Sequence, residues 1–287
     1  MKTFQFSTSS QVTIDINDLF GKVTINSGKH SQVTIKATGE EESLEQLKVT
    51  QEKDEISIRG SENSGTVISN GNIISFGGGA FIQSGQNVRI GTVTMNGQSI
   101  TMTNGGIWIN GKKVNGDDLT DFKEIKPLDV VITIPSNIAL NLELNEIAEL
   151  FCNHPVINLN VDTSGQCKWK FCQVESFVGD IAGQTEIEIE KILDGTNLDI
   201  SGQSRVQIPS FLGSLKLDVS GQSGVTVSGS FKKIDVDISG QSSVVTTGSV
   251  SGNLIADVSG MSSYIHSGKV QGRVKKDSSG MSSVLIQ

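Results

Sequence analysis

The chain has 287 residues, of which 36% are apolar and only 5% aromatic, and it contains 32 glycines but 4 prolines. A formal charge of −8 and a pI near 5.0 argue against non-specific nucleic-acid binding, which relies on clustered Lys and Arg that neutralise phosphates. No stretch approaches the roughly 20 apolar residues of a membrane span, and the abundance of Val, Ile and Leu predicts a β-rich protein.

Residues 1–60 are predicted to form N-terminal β coils. They contain short segments of alternating apolar and polar residues, the pattern of half-buried strands, at Val12–Ile14, Val23–Ile25, Val33–Ile35 and Ile56–Ile58. Glu40–Leu47 is the only predicted helical turn. The first residues lack the apolar stretch of about 7–15 residues that a secretory signal needs. The sequence as written therefore predicts a cytoplasmic protein, whereas a missing leader would place it in the cell envelope or outside the cell.

Residues 61–124 are rich in Gly and Asn and contain only brief apolar pairs. Asn-Gly is the strongest short signal for a tight hairpin turn, and it occurs at Asn70-Gly71, Asn96-Gly97, Asn104-Gly105, Asn110-Gly111 and Asn115-Gly116. The segment is predicted to be an insertion of small β-hairpins or narrow extra coils. A flexible, disordered insertion is the alternative, because the apolar pairs are sparse.

A repeat in residues 125–287 decides the predicted architecture. Its marker is a corner glycine that recurs every 18 to 20 residues, at Gly165, Gly183, Gly202, Gly221, Gly240, Gly260 and Gly280. A regular period of this length, filled with short alternating segments, is typical of a β-solenoid in which each repeat forms one coil. We therefore predict an all-β, single-stranded parallel β-helix with about 19–20 residues per coil, right-handed by the usual crossover preference.

Alternation within the repeat predicts which side chains face inward. In Leu198-Asp199-Ile200 two apolar residues flank a polar one, so a period of two points Leu198 and Ile200 into the coil and Asp199 outward. The glycine then allows a sharp turn through a positive φ, and the flanking serines can bond the corner backbone. The corner residues are therefore predicted to shape the turn rather than to take part in catalysis.

One aspartate lies three residues before each corner glycine, at Asp162, Asp180, Asp199, Asp218, Asp237, Asp257 and Asp277. Stacked coils would align them into a column, whose predicted role is structural, with each Asp capping its own corner. The alternative is a row that binds Ca²⁺ together with serine oxygens, for which the candidates are Asp199, Asp218, Asp237 and Asp257. We predict no catalytic residue, no resident metal and no cofactor.

The histidines and cysteines do not form recognisable sites. His30, His154 and His266 have no second ligand at metal spacing and are predicted to lie at the surface or in turns. The three cysteines, Cys152, Cys167 and Cys172, fit reduced thiols better than a disulfide framework. We expect them to be buried packing residues.

The outer face is predicted to become apolar toward the C-terminus. Five places after the glycine the outward residues change from charged or polar types to Val245, Ile265 and Leu285. Together with Tyr264 they predict an interaction surface for self-association through the C-terminal coil, because exposed apolar edges pair if left bare. The alternative is a local phase slip that buries them. Lys275 and Lys276 are predicted to oppose the addition of further copies of the chain to the last coil.

The repeats DISGQSRVQI, DVSGQSGVTV and DISGQSSVVT, which begin at Asp199, Asp218 and Asp237, resemble the auto-transporter adhesin head domain called the GIN domain. The segment LDVVITIPSNIALNLEL is similar to related adhesins that share a β-solenoid build. The likeness covers Asp129–Gln287 well and residues 1–60 loosely, leaving 61–124 uncovered. It implies a bacterial envelope protein with a single-stranded β-helix and no established catalytic residues. Members commonly carry a leader or a lipid anchor, and neither is present in this sequence.

Two functions are consistent with these patterns. The favoured one is a non-enzymatic, adhesin-like or scaffold β-solenoid that binds a glycan or protein ligand or associates with itself. The alternative is a carbohydrate-active β-helix of the lyase or hydrolase kind, which needs carboxylates or basic residues clustered in an outer groove. The aspartate column supplies carboxylates but no matching row of Arg or Lys.

Overall fold

A computed structural model describes residues 1–29, 31–60 and 127–287 and, between the last two ranges, the backbone of six short strands; of Glu146 it describes only the backbone. These parts consist of β-strands and one short helix, α1 (Glu41–Gln46), which lies within the predicted helical turn. In the ranges described, no helix has the length and apolar character needed to cross a bilayer.

The first 60 residues contribute five strands around α1. They are β1 (Lys2–Phe6), β2 (Gln11–Gly28), β3 (Val33–Thr38), β4 (Lys48–Glu52) and β5 (Glu55–Arg59). β2 is one long strand where the sequence predicted two short ones. It bends at Asp18 (φ 51°) and Gly21 (φ 136°) but stays in the sheet, because the backbone of Gly21 packs against that of Leu128. Its two halves thus form two sides of a single coil.

The Gly/Asn-rich segment contains six strands in antiparallel pairings. They are β6 (Thr66–Ser69), β7 (Asn72–Ser75), β8 (Gly91–Met95), β9 (Gln98–Thr103), β10 (Gly106–Ile109) and β11 (Lys112–Val114). The five Asn-Gly pairs for which tight turns were predicted lie outside the described residues.

Residues 128–286 form the coils. Their strands are β12 (Leu128–Pro135), β13 (Ala139–Cys152), β14 (Val156–Thr163), β15 (Lys168–Phe171), β16 (Val174–Ile181), β17 (Glu186–Ile189), β18 (Ile192–Ile200), β19 (Arg205–Val219), β20 (Gly224–Ile238), β21 (Ser243–Val250), β22 (Leu254–Val258), β23 (Ser263–Ser267), β24 (Val274–Ser278) and β25 (Ser283–Ile286). Each strand from β14 onward pairs in parallel with the equivalent strand one coil away. The predicted fold class is confirmed: the strands stack as a β-solenoid of about 8 turns with about 19 residues per turn.

The N-terminal segment and the repeats share one hydrophobic core. β2 pairs in parallel with β12 and β13 and, over its first half, with β5, so it belongs to the parallel stack. Two antiparallel pairs extend this end: β1 with β3, which also pairs with β12, and β4 with β5. Residues 1–60 therefore supply strands of the parallel coils together with an antiparallel cap.

The corner glycines adopt a left-handed conformation in six of the seven repeats, with φ between 74° and 77° from Gly183 to Gly280. Gly165 differs, because it lies at a bend without a positive φ. Two residues after it stands Cys167 instead of a Ser or Thr, and the Cys167 Sγ lies 3.0 Å from Thr163 Oγ1. This first corner is therefore closed differently from the later ones.

We predict that Gly221→Ala destabilises the stack. Gly221 has φ 74°, and an added Cβ would lie 2.5 Å from the Gly202 carbonyl oxygen, so both the backbone conformation and the spacing between coils would be strained. The free energy of unfolding in urea, followed by circular dichroism, should fall by about 1–3 kcal/mol.

The matched control for this experiment is Gly224→Ala in the same coil. Gly224 has no atom within 4 Å of an added Cβ and no positive φ, so its substitution should change the free energy of unfolding by less than about 0.5 kcal/mol. Equal losses for both variants would show that the corner itself imposes no special requirement.

Candidate functional site

The aspartates form a continuous column on the outer face. Asp180 lies opposite Asp199, and Asp199 opposite Asp218, in the parallel register of β16, β18 and β19. The same pairing extends the column to Asp162 at one end and Asp277 at the other. Asp199 and Asp237 are exposed, yet partial desolvation by the neighbouring coils raises the pKa of both carboxyls, and repulsion from the adjacent aspartates raises it further.

The predicted capping role of these aspartates is not seen. In the described coils no carboxylate of the column bonds the backbone of its own corner, because each side chain points outward three residues before the turn. At some corners a hydroxyl two residues after the glycine bonds the corner backbone instead: Thr185 Oγ1 donates to the Ala182 carbonyl at 2.9 Å, and Ser204 Oγ to the Ser201 carbonyl at 2.9 Å. Ser242 Oγ donates to the Gly221 carbonyl of the neighbouring coil at 3.4 Å. Within the described ranges no group of three or more His, Cys, Asp or Glu side chains could hold a metal ion.

Three of the four residues predicted for the interaction surface form an outward column, which we call the apolar column: Val245, Ile265 and Leu285. They lie opposite one another on β21, β23 and β25. Val245 and Ile265 are half-buried by their neighbours, whereas Leu285 is 48% exposed. Tyr264 does not belong to this surface, and its assignment was wrong: it lies opposite Val244 on the inward side and is fully buried.

The last coil leaves strand edges free. Among the described strands, β24 pairs only with β22, and β25 only with β23. Val274 occupies an inward position but is 46% exposed, because no further coil covers it here. Lys276 also takes an inward position, opposite the buried Ala256, so this edge carries a charge where other coils carry an aliphatic side chain.

The histidines were predicted to lie at the surface or in turns, and His30 lies outside the described residues. His154 lies at a bend between β13 and β14 but is buried, and His266 is buried within β23, so the surface assignment was wrong for both. His266 is buried beside Thr246 and Tyr264, with Thr246 Oγ1 2.9 Å from His266 Nδ1 and 2.9 Å from the Tyr264 hydroxyl. The Thr246 hydroxyl thus partners both the Tyr264 hydroxyl and His266 Nδ1, which offsets part of the cost of burying them. His266 Nε2 has no hydrogen-bond partner within the described residues, although the nearby Gly268 backbone partly offsets the lowering of the His266 pKa by burial.

His154 is held by two hydrogen bonds. Its Nε2 donates to the Ile138 carbonyl at 3.0 Å, so its Nδ1 accepts from the Ser27 hydroxyl at 2.8 Å. Burial lowers the pKa of His154, an effect that the Ile138 carbonyl partly offsets. These contacts orient the imidazole between β2 and the repeats, and the lowered pKa favours its neutral form.

Cys152, Cys167 and Cys172 form no disulfide within the described residues. Cys152 and Cys167 are buried and Cys172 is half-buried, consistent with packing residues. Burial raises the pKa of Cys152 to about 12 and also raises the pKa of Cys172. A thiol with so high a pKa is a poor nucleophile at neutral pH.

A polar cleft lies on the outer face of the N-terminal cap, and we call it the cap cleft. It has a volume of about 320 Å³ and is lined by Thr3, Gln5, Ser31, Gln32, Thr34, Lys36 and Thr133. The antiparallel register sets Thr3 opposite Lys36, and Thr34 between Gln5 and Thr133. Sequence analysis missed this site, because no local pattern shows that β3 pairs with β12 across the long Gly/Asn-rich segment.

Parallel coils capped at the N-terminal end and bearing in-register outer columns define the chain as a β-solenoid protein. The family described as "Putative auto-transporter adhesin, head GIN domain" matches residues 86–249, more than half of the chain. The chain belongs to this family. The matched range begins inside the Gly/Asn-rich segment, which the likeness of the repeats alone left uncovered. No curated protein matches the chain.

Crystal structures of two bacterial proteins have a similar fold. A "putative adhesin" from Parabacteroides merdae ATCC 43184 has a TM-score of 0.58 and 11% identity, with 100% of this chain and 95% of that chain covered. A "putative lipid binding protein" from Parabacteroides distasonis ATCC 8503 has a TM-score of 0.52 and 11% identity, with 100% and 96% covered. At such low identity the similarity shows the fold alone.

We predict that Asp218→Asn stabilises the protein at neutral pH. The raised pKa values of Asp199 and Asp237 mean that the charged column opposes folding above these values and ceases to do so as the pH falls through them. Removing the middle charge should raise the melting temperature slightly, since adjacent charges about 4.8 Å apart repel by only ~0.9 kcal/mol in water before salt screening.

The gain from Asp218→Asn should shrink in acid and at high salt. Asp194→Asn is the control, because Asp194 lies outside the column and pairs with Lys232 at 3.0 Å. It should give no gain. A stabilisation by Asp218→Asn that persists unchanged in acid would refute repulsion as its cause.

A second prediction concerns the buried histidines. Their folded-state pKa values are lowered, so each contributes stability above the unfolded value of about 6.5, and this contribution is lost as the pH falls through the folded value. The melting temperature should therefore drop on acidification through this range. His266→Asn, which retains a polar group beside Thr246, should reduce the slope of melting temperature against pH, and an unchanged slope would contradict the assignment.

Proposed function

We propose that the protein is a non-enzymatic, adhesin-like binding module at the cell surface, in which a rigid stack of coils presents columns of side chains to partners. Membership of the adhesin head family supports this role. The constancy of the inward positions supports it further, because they remain aliphatic through most of the stack while the chemistry of the outward positions changes from coil to coil.

The histidine, cysteine and aspartate side chains, which often act in catalysis, serve structural roles in the described coils. His154 and His266 are buried in neutral environments, and the Cys152 thiol has a pKa of about 12. The aspartates occupy the same outward position in successive coils. These observations favour binding over the carbohydrate-cleaving alternative, which requires two carboxyl groups with different roles.

The apolar column supports association with a second copy of the chain. Val245, Ile265 and Leu285 lie in one row that ends beside the free edge of β25. A two-fold axis through this row would bring two identical aliphatic faces together, the self-complementary contact typical of homodimers. The exposed Leu285 is the observation that carries this part of the proposal.

We predict that the wild-type chain forms a dimer that Leu285→Lys converts to a monomer, because a charge would have to be buried in the contact. The measurement is sedimentation equilibrium over a range of concentrations. Leu212→Lys is the matched control, since Leu212 has the same 48% exposure on another coil and its substitution should leave the dimer intact.

A wild-type monomer at every concentration, or equal effects of both lysine substitutions, would refute the proposed contact. The non-enzymatic role is tested separately with a reducing-sugar assay on plant, algal and bacterial polysaccharides. Release of reducing ends by the wild-type protein would overturn it.

A further inference from the structure

The cap cleft has the composition of a saccharide site. Four of its lining side chains end in hydroxyls and two in amides, Gln5 and Gln32, and none is aliphatic or aromatic. Hydroxyl and amide groups both donate and accept hydrogen bonds, as sugar hydroxyls do. A lipid chain or an aromatic ligand would leave this lining without partners, because sites for such ligands are mainly apolar.

The polar groups of the cleft are available to a ligand. Thr3, Gln5, Thr34, Lys36 and Thr133 form no side-chain hydrogen bond or ion pair within the described residues, while Gln32 donates to Ser7 Oγ at 3.0 Å. The strands that carry them are firmly held, because the alternate residues Val33, Ile35 and Ala37 of β3 are fully buried. Thr3, Gln5, Thr34, Lys36 and Thr133 are thus presented on strands, while Ser31 and Gln32 lie just before β3.

The charge of the cleft selects among saccharides. Among the described lining residues Lys36 is the one charged side chain, and it lies opposite Thr3 beside the Gln5–Thr34–Thr133 row. None of these described residues carries a carboxylate that could neutralise it. A sugar that carries one carboxylate or sulfate could pair with Lys36 while its hydroxyls bond the threonines and amides. The volume of about 320 Å³ is near the lower limit of small-ligand sites, which suits one or two sugar rings.

We propose that the cap cleft binds one or two units of an acidic saccharide, with Lys36 receiving the anionic substituent and Thr34 and Thr133 bonding ring hydroxyls. The assignment rests on the proposed binding function, and it places the ligand at the opposite end of the stack from the apolar column.

The test is an array of neutral, uronic-acid-containing, sialylated and sulfated oligosaccharides, probed with the labelled full chain. Acidic members should bind more strongly than neutral members of the same length. Binding of the carboxylated members alone identifies a carboxylate as the anionic group, and binding of the sulfated members alone identifies a sulfate.

Variants assign the signal to the cleft. Lys36→Gln should weaken binding of the acidic members about fivefold or more, as the loss of one charge-assisted hydrogen bond implies. Thr34→Val, which preserves side-chain volume, should weaken all members that bind. Lys216→Gln is the matched control, because Lys216 is an exposed, outward-facing lysine on β19, and it should stay within about twofold of wild type.

Three results would overturn the assignment: no binding of any acidic saccharide, equal binding of acidic and neutral members, or equal effects of Lys36→Gln and Lys216→Gln. Sedimentation of the same preparations separates this failure from failure of the proposed self-association. A dimer that binds no saccharide would refute only the proposed saccharide site in the cap cleft. A monomer that binds acidic saccharides through Lys36 would refute only the proposed dimer contact.

Discussion

The close approach of backbone to backbone at the corners is the constraint on which the structure depends. An added Cβ on Gly221 would lie 2.5 Å from the Gly202 carbonyl oxygen, and one on Gly240 would lie 2.6 Å from that of Gly221. Each corner amide also bonds the corner one coil away, as Gln222 N does with the Gly202 carbonyl at 2.8 Å. A coil cannot slip along its neighbour without losing these contacts, so every strand inherits one register.

Because the register is fixed, each position of the repeat forms a column of side chains along the stack. The columns differ in their contribution to the free energy of folding. Inward columns of aliphatic residues gain free energy by burial. An outward column can be favourable, as where Lys170 Nζ pairs with Glu188 at 3.1 Å, or mildly unfavourable, as in the aspartate column. Because the backbone is unaffected by these choices, outer chemistry can change along the stack while the shape stays constant. The row that begins with Lys170 and Glu188 becomes polar and then aliphatic at Val245.

The repeat allowed most of the coil to be predicted from the sequence, because spacing and alternation are local signals. The errors came from long-range contacts. Tyr264 and His266 lie in the same phase as Val244 and Thr246, so the phase of the repeat points both inward. The prediction instead grouped Tyr264 with the apolar outer residues and assigned His266 to the surface or a turn. The bonds of Thr246 to Tyr264 and His266 offset part of the cost of burying these polar groups. The cap cleft depends on pairing of β3 with β12, which no nearby residue pattern encodes.

The two ends of the stack differ in a way that limits how copies could assemble. At the N-terminal end the outer strands β1 and β4 run antiparallel to their neighbours, so they do not reproduce the parallel edge on which each coil is built. Head-to-tail growth would require such an edge at both ends, and Lys276 in an inward position further opposes it, since burying an unpaired charge is costly. A contact through the apolar column avoids both obstacles, because a two-fold axis closes after two copies. The dimer proposed above would therefore close after two copies, and it would leave the proposed ligand site in the cap cleft of each copy uncovered.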